Sequence, residues 1–335
     1  NNYTPPSTYT YGIGLTLPTQ EHVVRSGYQF LGWVISGDDI ITSIAPNDIG
    51  NKSFSARWLD ITPPTGSIQI RTKTFNKLLN TITFGLFFKN TQSVTIYGND
   101  NSYLSTNIAY ALSETKITDF DSVSWIPYTD PFSLDPNQKV IVYAKITDNA
   151  GNFTIINSDG LVISTDSEAI TTEVSFTKTS ADDVTAIVNL NGNTIKEVRL
   201  NGNTLTKDTH YTVSDNTISL KADYLNTLAA GDYTVVVSYY PFGETGTPKA
   251  GSDSPATTEF SLHIDKAVPT VSIAASPTGS QVRPNSVTLS ATLTEGAAGT
   301  LQFKANGENI GAPVPVGQTF TFTASGAVND YTFTV

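Results

Sequence analysis

The side chains that could perform acid–base or nucleophilic chemistry are few and lie far apart in this sequence. The histidines are His22, His210 and His263, and the 335 residues contain no cysteine. Without cysteine there is no thiol nucleophile, no thiolate metal site and no disulfide. Ser26 lies four positions from His22, but a serine near a histidine is expected by chance in a serine-rich chain. No set of acid, base and nucleophile can be assembled, so we predict no catalytic residues and no enzyme.

Carboxylates occur in close pairs at Asp38–Asp39, Asp119 and Asp121, and Asp182–Asp183. Hydrolysis of a glycosidic bond needs two carboxylates that face each other across a cleft, one of them with a raised pKa. Acids that neighbour each other in a loop usually point apart into solvent. We therefore interpret these pairs as solvated turn residues.

Two further acidic turns have the composition of a calcium site. The stretches 99–102 and 148–152 are rich in Asp and Asn, and they contain Asp100 and Asp148. Calcium prefers such hard oxygen ligands in turns, which makes Asp100 and Asp148 candidate metal ligands. Neither stretch has the twelve-residue spacing of a helix–loop–helix site, and Asx-rich turns commonly cap their own backbone instead. We favour the capping interpretation and predict no cofactor, with calcium as the open alternative.

One loop combines aromatic residues with turn residues. Residues 239–243, Tyr-Tyr-Pro-Phe-Gly, open a Gly/Pro-rich stretch that extends to about Pro255. Exposed loops often carry binding residues, which makes Tyr240 and Phe242 candidate ligand contacts. In the alternative, which we favour, Pro241 and Phe242 fold back over the edge of their domain.

The elements that must position these residues are almost all strands. Apolar residues alternate with polar ones, as half-buried strands require, at Phe260, Leu262 and Ile264 and in longer stretches near 82–88 and 287–293. Only Lys221–Leu228 has helical spacing, with Gly231 placed to end the turn. Asn-Gly pairs that suit tight hairpins occur at 191–192, 201–202 and 306–307. We predict an all-β fold with one short helix.

The charge balance restricts the possible partners. Lys and Arg number 19 and Asp and Glu number 30, which gives a net charge of −11. An acidic chain repels nucleic acid and anionic lipid, and no apolar run approaches the roughly 18 residues of a membrane span. We predict a monomer located outside the cell, on a bacterial surface or secreted.

Two proline-bearing junctions and one without proline divide the chain. Proline cannot donate to a sheet ladder and pushes the preceding residue toward extended geometry. The predicted domains are therefore 1–59, 60–166, 167–265 and 266–335. The junctions between them are Trp58–Thr65, Ser164–Glu168 and Ile264–Thr270.

The first predicted domain resembles the Listeria–Bacteroides repeat, also called the internalin B-type repeat. The resemblance rests on Tyr9-Thr10-Tyr11-Gly12, Leu17-Pro18, Gly27–Trp33, Ile41-Thr42 and Phe54–Trp58. It implies a small β-grasp unit in which Trp33 and Trp58 belong to the core. The opening strand and Asn-Gly-Gly turn of the family are missing, so we expect the sequence to begin inside a repeat.

The other three predicted domains resemble Ig-like β-sandwiches. Residues 60–166 are similar to a bacterial Ig-like domain of clostridial adhesins, through Asp60–Gly66, Asn80–Phe88 and Tyr143–Asn152. Residues 167–265 resemble the X-type Ig-like modules beside clostridial cellulases, through Leu200–Leu205, His210–Val213, Tyr224-Leu225 and Gly231. Residues 266–335 look like another Ig-like repeat whose last strands are expected to follow Val335.

These resemblances imply a function in architecture rather than in chemistry. We predict a non-enzymatic spacer that presents a distal binding region of a bacterial cell-surface adhesin. Host or environmental glycans or proteins would then bind through regions outside this sequence. The alternative is an accessory carbohydrate-binding or linker region of a secreted polysaccharide-degrading enzyme, with residues 167–265 contacting the carbohydrate.

Overall fold

The computed structural model describes residue 4 and residues 6–102, 105–254, 256–267, 269–278, 286–293, 299–323 and 331–335. Contacts group the chain into two compact units. The first unit comprises Asn1–Glu168, Asn189–Glu197 and Val237–Thr258. The second comprises Ala169–Val188, Val198–Val236 and Glu259–Val335.

The N-terminal segment contains two short antiparallel pairs of strands. The strands are β1 Leu15–Thr16, β2 Tyr28–Val34, β3 Ser43–Ile44 and β4 Ser55–Asp60, with β1 paired to β3 and β2 to β4. Phe30 lies between Trp33 and Trp58, with ring centroids 5.4 and 5.3 Å away in edge-to-face geometry. The indole nitrogen of Trp33 donates to the carbonyl of Pro18 at 2.8 Å. Both tryptophans are therefore half-buried and pack against Phe30, while Trp33 also lines a groove.

The next segment forms two sheets. Its strands are β5 Thr65–Ile70, β6 Lys73–Phe75, β7 Phe84–Lys89, β8 Gln92–Asn99, β9 Asn107–Ser113, β10 Ile126–Pro127, β11 Phe132–Leu134, β12 Gln138–Thr147, β13 Phe153–Asn157 and β14 Gly160–Ser164. One sheet has the order β10-β9-β12-β14-β7, with β13 also paired to β12, and the other has the order β11-β8-β5-β6. Strands β14 and β7 run parallel.

Strand β12 explains how this segment builds its core. Val140, Val142 and Ala144 face one cluster of buried residues, while Ile141 and Tyr143 face a second cluster on the opposite side. Both faces of the strand are buried, and both are apolar. Residues 140–144 are therefore a continuous apolar run and do not alternate as in a half-exposed strand. The hydroxyl of buried Tyr143 accepts a hydrogen bond from the Ile117 amide at 2.9 Å.

The third segment contains two further sheets and the one α-helix of the described residues. Its elements are β15 Glu168–Ala169, β16 Glu173–Thr177, β17 Val184–Asn189, β18 Thr194–Leu200, β19 Asn203–Thr204, β20 Tyr211–Ser214, β21 Thr217–Leu220, α1 Ala222–Thr227, β22 Gly231–Tyr240 and β23 Thr257–Asp265. The sheet orders are β15-β17-β21-β20 and β16-β23-β22-β18-β19. Phe260, Leu262 and Ile264 of β23 are buried, as their alternation predicted.

Helix α1 lies within the predicted range and ends one residue earlier. The carboxylate of Asp183 accepts a hydrogen bond from the Ala222 amide at 2.9 Å and so satisfies one of the free donors at the helix start. Leu228 is already extended, with ψ of 156°. The predicted stop at Gly231 is therefore too late, and Gly231 begins strand β22 instead.

The C-terminal segment contains small sheets around a modest core. Its strands are β24 Val271–Ser276, β25 Ser286–Leu293, β26 Thr300–Leu301, β27 Lys304–Ala305, β28 Glu308–Asn309, β29 Val314–Pro315, β30 Thr319–Thr323 and β31 Phe333–Thr334. The pairings are β24-β25-β30, β26-β29 and β28-β27-β31. Leu289, Ala291, Leu301 and Phe303 are its buried core residues.

The described chain is thus almost entirely β, with several sheets arranged as Ig-like β-sandwiches, which confirms the predicted fold class. The domain boundaries at 59, 166 and 265 stay predictions. Among the described residues, no helix is long and apolar enough to cross a membrane.

Candidate functional site

Three aromatic side chains lie close together in the third segment. The ring of His210 stacks on the ring of Tyr224, with centroids 4.3 Å apart and planes inclined by 23°. Burial raises the pKa of Tyr224, and the nearby phenol of Tyr233 raises it further. All three side chains remain partly exposed. We call His210, Tyr224 and Tyr233 the aromatic cluster.

Separate elements hold each member of the aromatic cluster. Tyr224 projects from α1, and Tyr233 lies in β22, where its hydroxyl donates to the carbonyl of Ala229 at 2.9 Å. His210 precedes β20, and its Nδ1 accepts a hydrogen bond from the Thr206 amide at 3.1 Å. The His210 ring is therefore fixed in place by a stacking contact and a hydrogen bond. The resemblance to X-type modules drew on His210 and Tyr224 but did not identify them as a binding surface, because they are separated in the chain and meet only in the fold.

The predicted contacts Tyr240 and Phe242 occupy a different position. Phe242 is half-buried, its amide donates to Oδ1 of Asn193 at 3.0 Å, and Pro241 beside it is buried. A Cβ added to Gly192 would lie 3.0 Å from the Phe242 ring, and the φ of 82° at this position also favours glycine. Tyr240 is half-buried, with the Lys196 ammonium 5.7 Å from its ring centroid. Phe242 and Pro241 therefore fold back against the 191–193 turn, as the favoured alternative predicted.

The rest of this loop covers the free edge of strand β7. The amides of Lys249 and Asp253 donate to the carbonyls of Gly85 and Phe87 at 2.7 and 2.8 Å, and the Phe87 amide donates to the Ser252 hydroxyl at 3.1 Å. These bonds satisfy strand groups that would otherwise remain open for edge-to-edge pairing. Phe87 is only 2% exposed, although the sequence pattern near 82–88 predicted that one face of this strand would be open.

Ion pairs fix the same loop. Arg71 contacts both carboxylate oxygens of Asp253, at 2.8 and 3.0 Å. Lys139 pairs with Glu244 at 2.7 Å, and Lys249 pairs with Asp159. These charged contacts hold residues 244–253 in place, although residues 245–251 remain exposed.

The two calcium candidates do come together, and a third carboxylate joins them. Asp60, Asp100 and Asp148 each offer an oxygen atom, and these atoms all lie within 4.8 Å of one another. Asp100 and Asp148 are 7% and 4% exposed, and Asp60 is partly buried. We call these three residues the acidic cluster. Asp60 lies in the predicted junction between domains, but nothing in its local sequence marked it as a ligand.

Each carboxylate of the acidic cluster is oriented by its own turn. Asp60 Oδ1 accepts the Thr62 amide at 2.9 Å, and Asp148 Oδ1 accepts the amides of Ala150 and Asn152 at 2.9 and 2.8 Å. The hydroxyl and amide of Ser102 bond to Asp100 Oδ2, and the hydroxyl in particular lowers the pKa of Asp100. Backbone capping, the favoured interpretation from sequence, is therefore present. The side-chain amide of Asn152 also donates to Asp148 Oδ2 at 2.8 Å, so the buried oxygens of the cluster left without a hydrogen bond are Asp60 Oδ2 and Asp100 Oδ1.

The remaining acid–base candidates are arranged for structure. His263 lies between Asp232 and Asp265, while Asp183 caps α1 and Asp38 pairs with Arg57. Within the exposed 119–121 turn, the carboxylate of the first aspartate accepts the amide of the second at 3.1 Å. These contacts agree with the interpretation of the paired acids as turn residues.

A groove lined by both polar and aromatic residues lies in the N-terminal segment. Its volume is about 790 Å³, and its lining includes Tyr9, Tyr11, Leu17, Trp33 and Phe54. Tyr11 is 69% exposed, whereas the hydroxyl of Tyr9 donates to the Gly50 carbonyl at 2.7 Å. The groove is thus a second place where aromatic side chains reach the surface.

Known proteins resemble part of this chain. Residues 170–244 match the family described as "Carbohydrate binding domain X2". We call residues 170–244 the X2 region. The aromatic cluster lies inside the X2 region, and the match confirms the predicted resemblance to X-type modules. The internalin-type repeat of residues 1–59 and the adhesin-type domain of residues 60–166 stay predictions.

One curated relative is "Cellulose-binding protein A" of Clostridium cellulovorans. It is 34% identical over 99 residues, which amount to 27% of this chain and 5% of that protein. The chain therefore spans about 5% of the length of the curated relative that it matches.

Solved structures with some resemblance include a tri-modular GH5 endo-beta-1,4-glucanase from Bacillus licheniformis. It is 14% identical, with a TM-score of 0.29, and the match covers 59% of this chain and 38% of that chain. The I67–I69 fragment of titin is 7% identical, with a TM-score of 0.32, covering 73% and 82%.

Proposed function

We propose that this chain is a non-catalytic accessory region of an extracellular polysaccharide-degrading system, and that its X2 region binds the polysaccharide. The observation that carries the proposal is the match of residues 170–244 to a carbohydrate-binding family. The relationship to a cellulose-binding protein supports a glycan partner as well. Both findings favour this function over the spacer of a cell-surface adhesin.

The aromatic cluster is the proposed contact surface. A pyranose ring presents an apolar face of C–H groups, which packs on an aromatic ring, and a tyrosine adds a hydroxyl that can bond to the hydroxyls of the sugar. Tyr224 and Tyr233 offer both features on neighbouring elements, and His210 supports the ring of Tyr224 from one side. Because the rings of His210 and Tyr224 already stack on each other and the Tyr233 hydroxyl bonds to the Ala229 carbonyl, little side-chain freedom is lost on binding.

The charge of the chain agrees with a neutral glycan. At a net charge of −11, the protein repels anionic polymers, but it has no long-range electrostatic interaction with uncharged β-glucans. Binding to such a ligand should therefore change little with salt, unlike binding to a charged polymer.

The proposal is tested by measuring binding of the full chain to insoluble cellulose and, by affinity electrophoresis, to soluble β-glucans. We expect Tyr224→Ala and Tyr233→Ala each to weaken binding about tenfold, which corresponds to about 1.4 kcal/mol. Tyr224→Phe keeps the ring and should retain most of the affinity.

The matched controls are tyrosines outside the X2 region. Tyr97, which is 53% exposed, and Tyr11, which lines the N-terminal groove, should be replaceable by alanine without effect. Loss of binding in Tyr11→Ala alone would move the site to the groove. Absence of binding by the folded wild-type chain to every glycan tested would contradict the proposal.

A further inference from the structure

We propose that Asp60, Asp100 and Asp148 bind one calcium ion. Asp60 is the last residue of β4, Asp100 follows β8 and Asp148 follows β12. The site would therefore join three strand ends within the first unit. The site is independent of the glycan-binding function proposed above.

The first argument is the uncompensated charge of the acidic cluster. Three carboxylates with oxygens within 4.8 Å of one another repel strongly, and burial weakens the screening by water that would reduce this repulsion. Among the described residues, no lysine, arginine or histidine forms an ion pair with any of the three. Buried charges in folded proteins are paired or coordinate metals, and a divalent cation would supply the missing partner.

The second argument is a pair of buried oxygens without hydrogen bonds. Asp100 is 7% exposed and its Oδ1 has no partner, and the same is true of Oδ2 of Asp60. A buried polar atom without a partner is rare in folded proteins because it has lost its hydration without compensation. The turn bonds to the other oxygen of each carboxylate hold these free oxygens in fixed positions.

The third argument is the size of the site. Calcium binds oxygen ligands at 2.3–2.6 Å, so two ligands on opposite sides of one ion are separated by roughly 5 Å. Oxygens that lie within 4.8 Å of one another can therefore all contact a single ion. The three donors are carboxylate oxygens at or just after strand ends, and hard oxygen ligands of this kind are what calcium prefers.

Occupancy of this site would stabilise the junction that follows β4. The backbone there is already held by Asn152, whose side-chain amide donates to the Asp60 carbonyl at 3.0 Å, and by Thr154, whose hydroxyl donates to the Pro64 carbonyl at 2.5 Å. A calcium ion shared by Asp60 and Asp148 would add a tie between the same two stretches of chain. We therefore expect slower proteolysis between residues 60 and 65 when calcium is present.

The test is isothermal titration of the full chain with CaCl₂ after treatment with a chelator, together with thermal melting. We expect one site per chain, and a melting temperature that rises with the concentration of free calcium, as binding to the native state requires. Asp100→Asn and Asp148→Asn should each weaken binding about tenfold or more, since each removes a formal charge from the site. Asp119→Asn, in an exposed acidic turn, is the matched control and should bind normally.

A second measurement protects the test against variants that fail to fold. Tyr28 donates to Asn101 at 3.4 Å and lies close to Asp60, so terbium bound in the site should emit when tyrosine is excited. Tyr28→Phe should lose much of this emission and keep its calcium affinity. No binding of calcium by the folded wild-type chain at millimolar concentration would overturn the proposal. Equal affinity for Mg²⁺ would overturn the choice of ion, and binding unchanged in a folded Asp60→Asn variant would overturn the ligand set.

Discussion

Asp253 and His263 are each held by charged neighbours, but they differ in what else they bond. Asp253 accepts two bonds from Arg71 and a third from the Lys89 amide at 2.7 Å, and its side chain is 27% exposed. His263 contacts Asp232 at 2.5 Å and Asp265 at 3.2 Å, and the side chain of Asp232 is 88% exposed.

The ion pairs of Asp253 and His263 also shift the pKa of these two residues in opposite directions. Hydrogen bonding to Arg71 lowers the pKa of the Asp253 carboxyl, and hydrogen bonding to Asp232 raises the pKa of the His263 imidazole. Asp253 additionally satisfies a backbone donor of strand β7, whereas His263 contacts only exposed side chains. An ion pair therefore contributes to stability here when it also bonds the backbone, because exposed pairs alone are worth little.

Removal of the Asp253 carboxylate should have the largest effect. Asp253→Ala leaves the Lys89 amide without its acceptor and Arg71 without its partner, so we expect a loss of about 2–3 kcal/mol in local stability. Native-state hydrogen exchange at the Phe87 and Lys89 amides would report it, with protection falling roughly 30- to 150-fold.

The comparison supplies its own control. Asp232→Ala removes the exposed carboxylate that pairs with His263, and the melting temperature should change little at neutral pH. Asp253→Asn retains an acceptor for the Lys89 amide, so it should lose less protection than Asp253→Ala. If Asp232→Ala destabilised the protein as much as Asp253→Ala, the hydrogen bond to the backbone would not explain why the Asp253 ion pair contributes more to stability than the His263 ion pair.

Asn193 should show the next largest effect, because it makes three bonds while only 6% exposed. Its amide group donates to the Thr165 carbonyl and the Ser167 hydroxyl at 2.8 and 2.9 Å, and its oxygen accepts the Phe242 amide. Asn193→Ala should cost about 1–3 kcal/mol, measured by denaturant unfolding. Asn203→Ala, in an exposed position of β19, is the matched control. Equal stability of the two variants would show that the Asn193 bonds contribute nothing net.

The stabilisation by the Asp253–Arg71 ion pair should depend on pH. We expect this effect to be smaller than that of Asn193→Ala, and its sign follows from the lowered pKa of Asp253. A lowered pKa means that the folded state binds the proton less readily than the unfolded state. The stabilisation is therefore present above the unfolded pKa of about 4 and is lost as pH falls through the folded pKa. The difference in hydrogen-exchange protection between wild type and Asp253→Asn should shrink below about pH 4. A difference that stays constant down to about pH 2 would contradict this assignment.

Local features of the fold could be predicted from sequence because they depend on adjacent residues. Asn191, Asn201 and Asn306 all have positive φ, of 49°, 45° and 51°, as the Asn-Gly pairs indicated. The apolar alternation in β23 likewise follows from a single stretch of chain. Burial of Phe87 could not be predicted, because residues more than 160 positions further along the chain cover it.

In the acidic cluster, too, local sequence could predict some members of the site but not all of them. Asp100 and Asp148 each lie in a turn whose composition suggested calcium, so local sequence was enough to select them. Asp60 is adjacent to them only because β4, β8 and β12 bring their ends together. His210 and Tyr224 contribute to the resemblance to X-type modules, but no local pattern showed that α1, β22 and the turn before β20 would each contribute a ring to one cluster.

His263 should give the smallest effect and the opposite pH dependence to Asp253. Its raised pKa means that the folded state holds the proton more tightly, so its stabilisation is present below about pH 6.5 and is lost as pH rises through the folded pKa. His263→Gln should therefore melt slightly below wild type near pH 5.5 and at the same temperature near pH 9. His22→Gln, in an exposed position of the N-terminal segment, is the control for substitution of a histidine as such. A deficit in His263→Gln that grew with pH would mean that the neutral imidazole, and not its charge, stabilises β23.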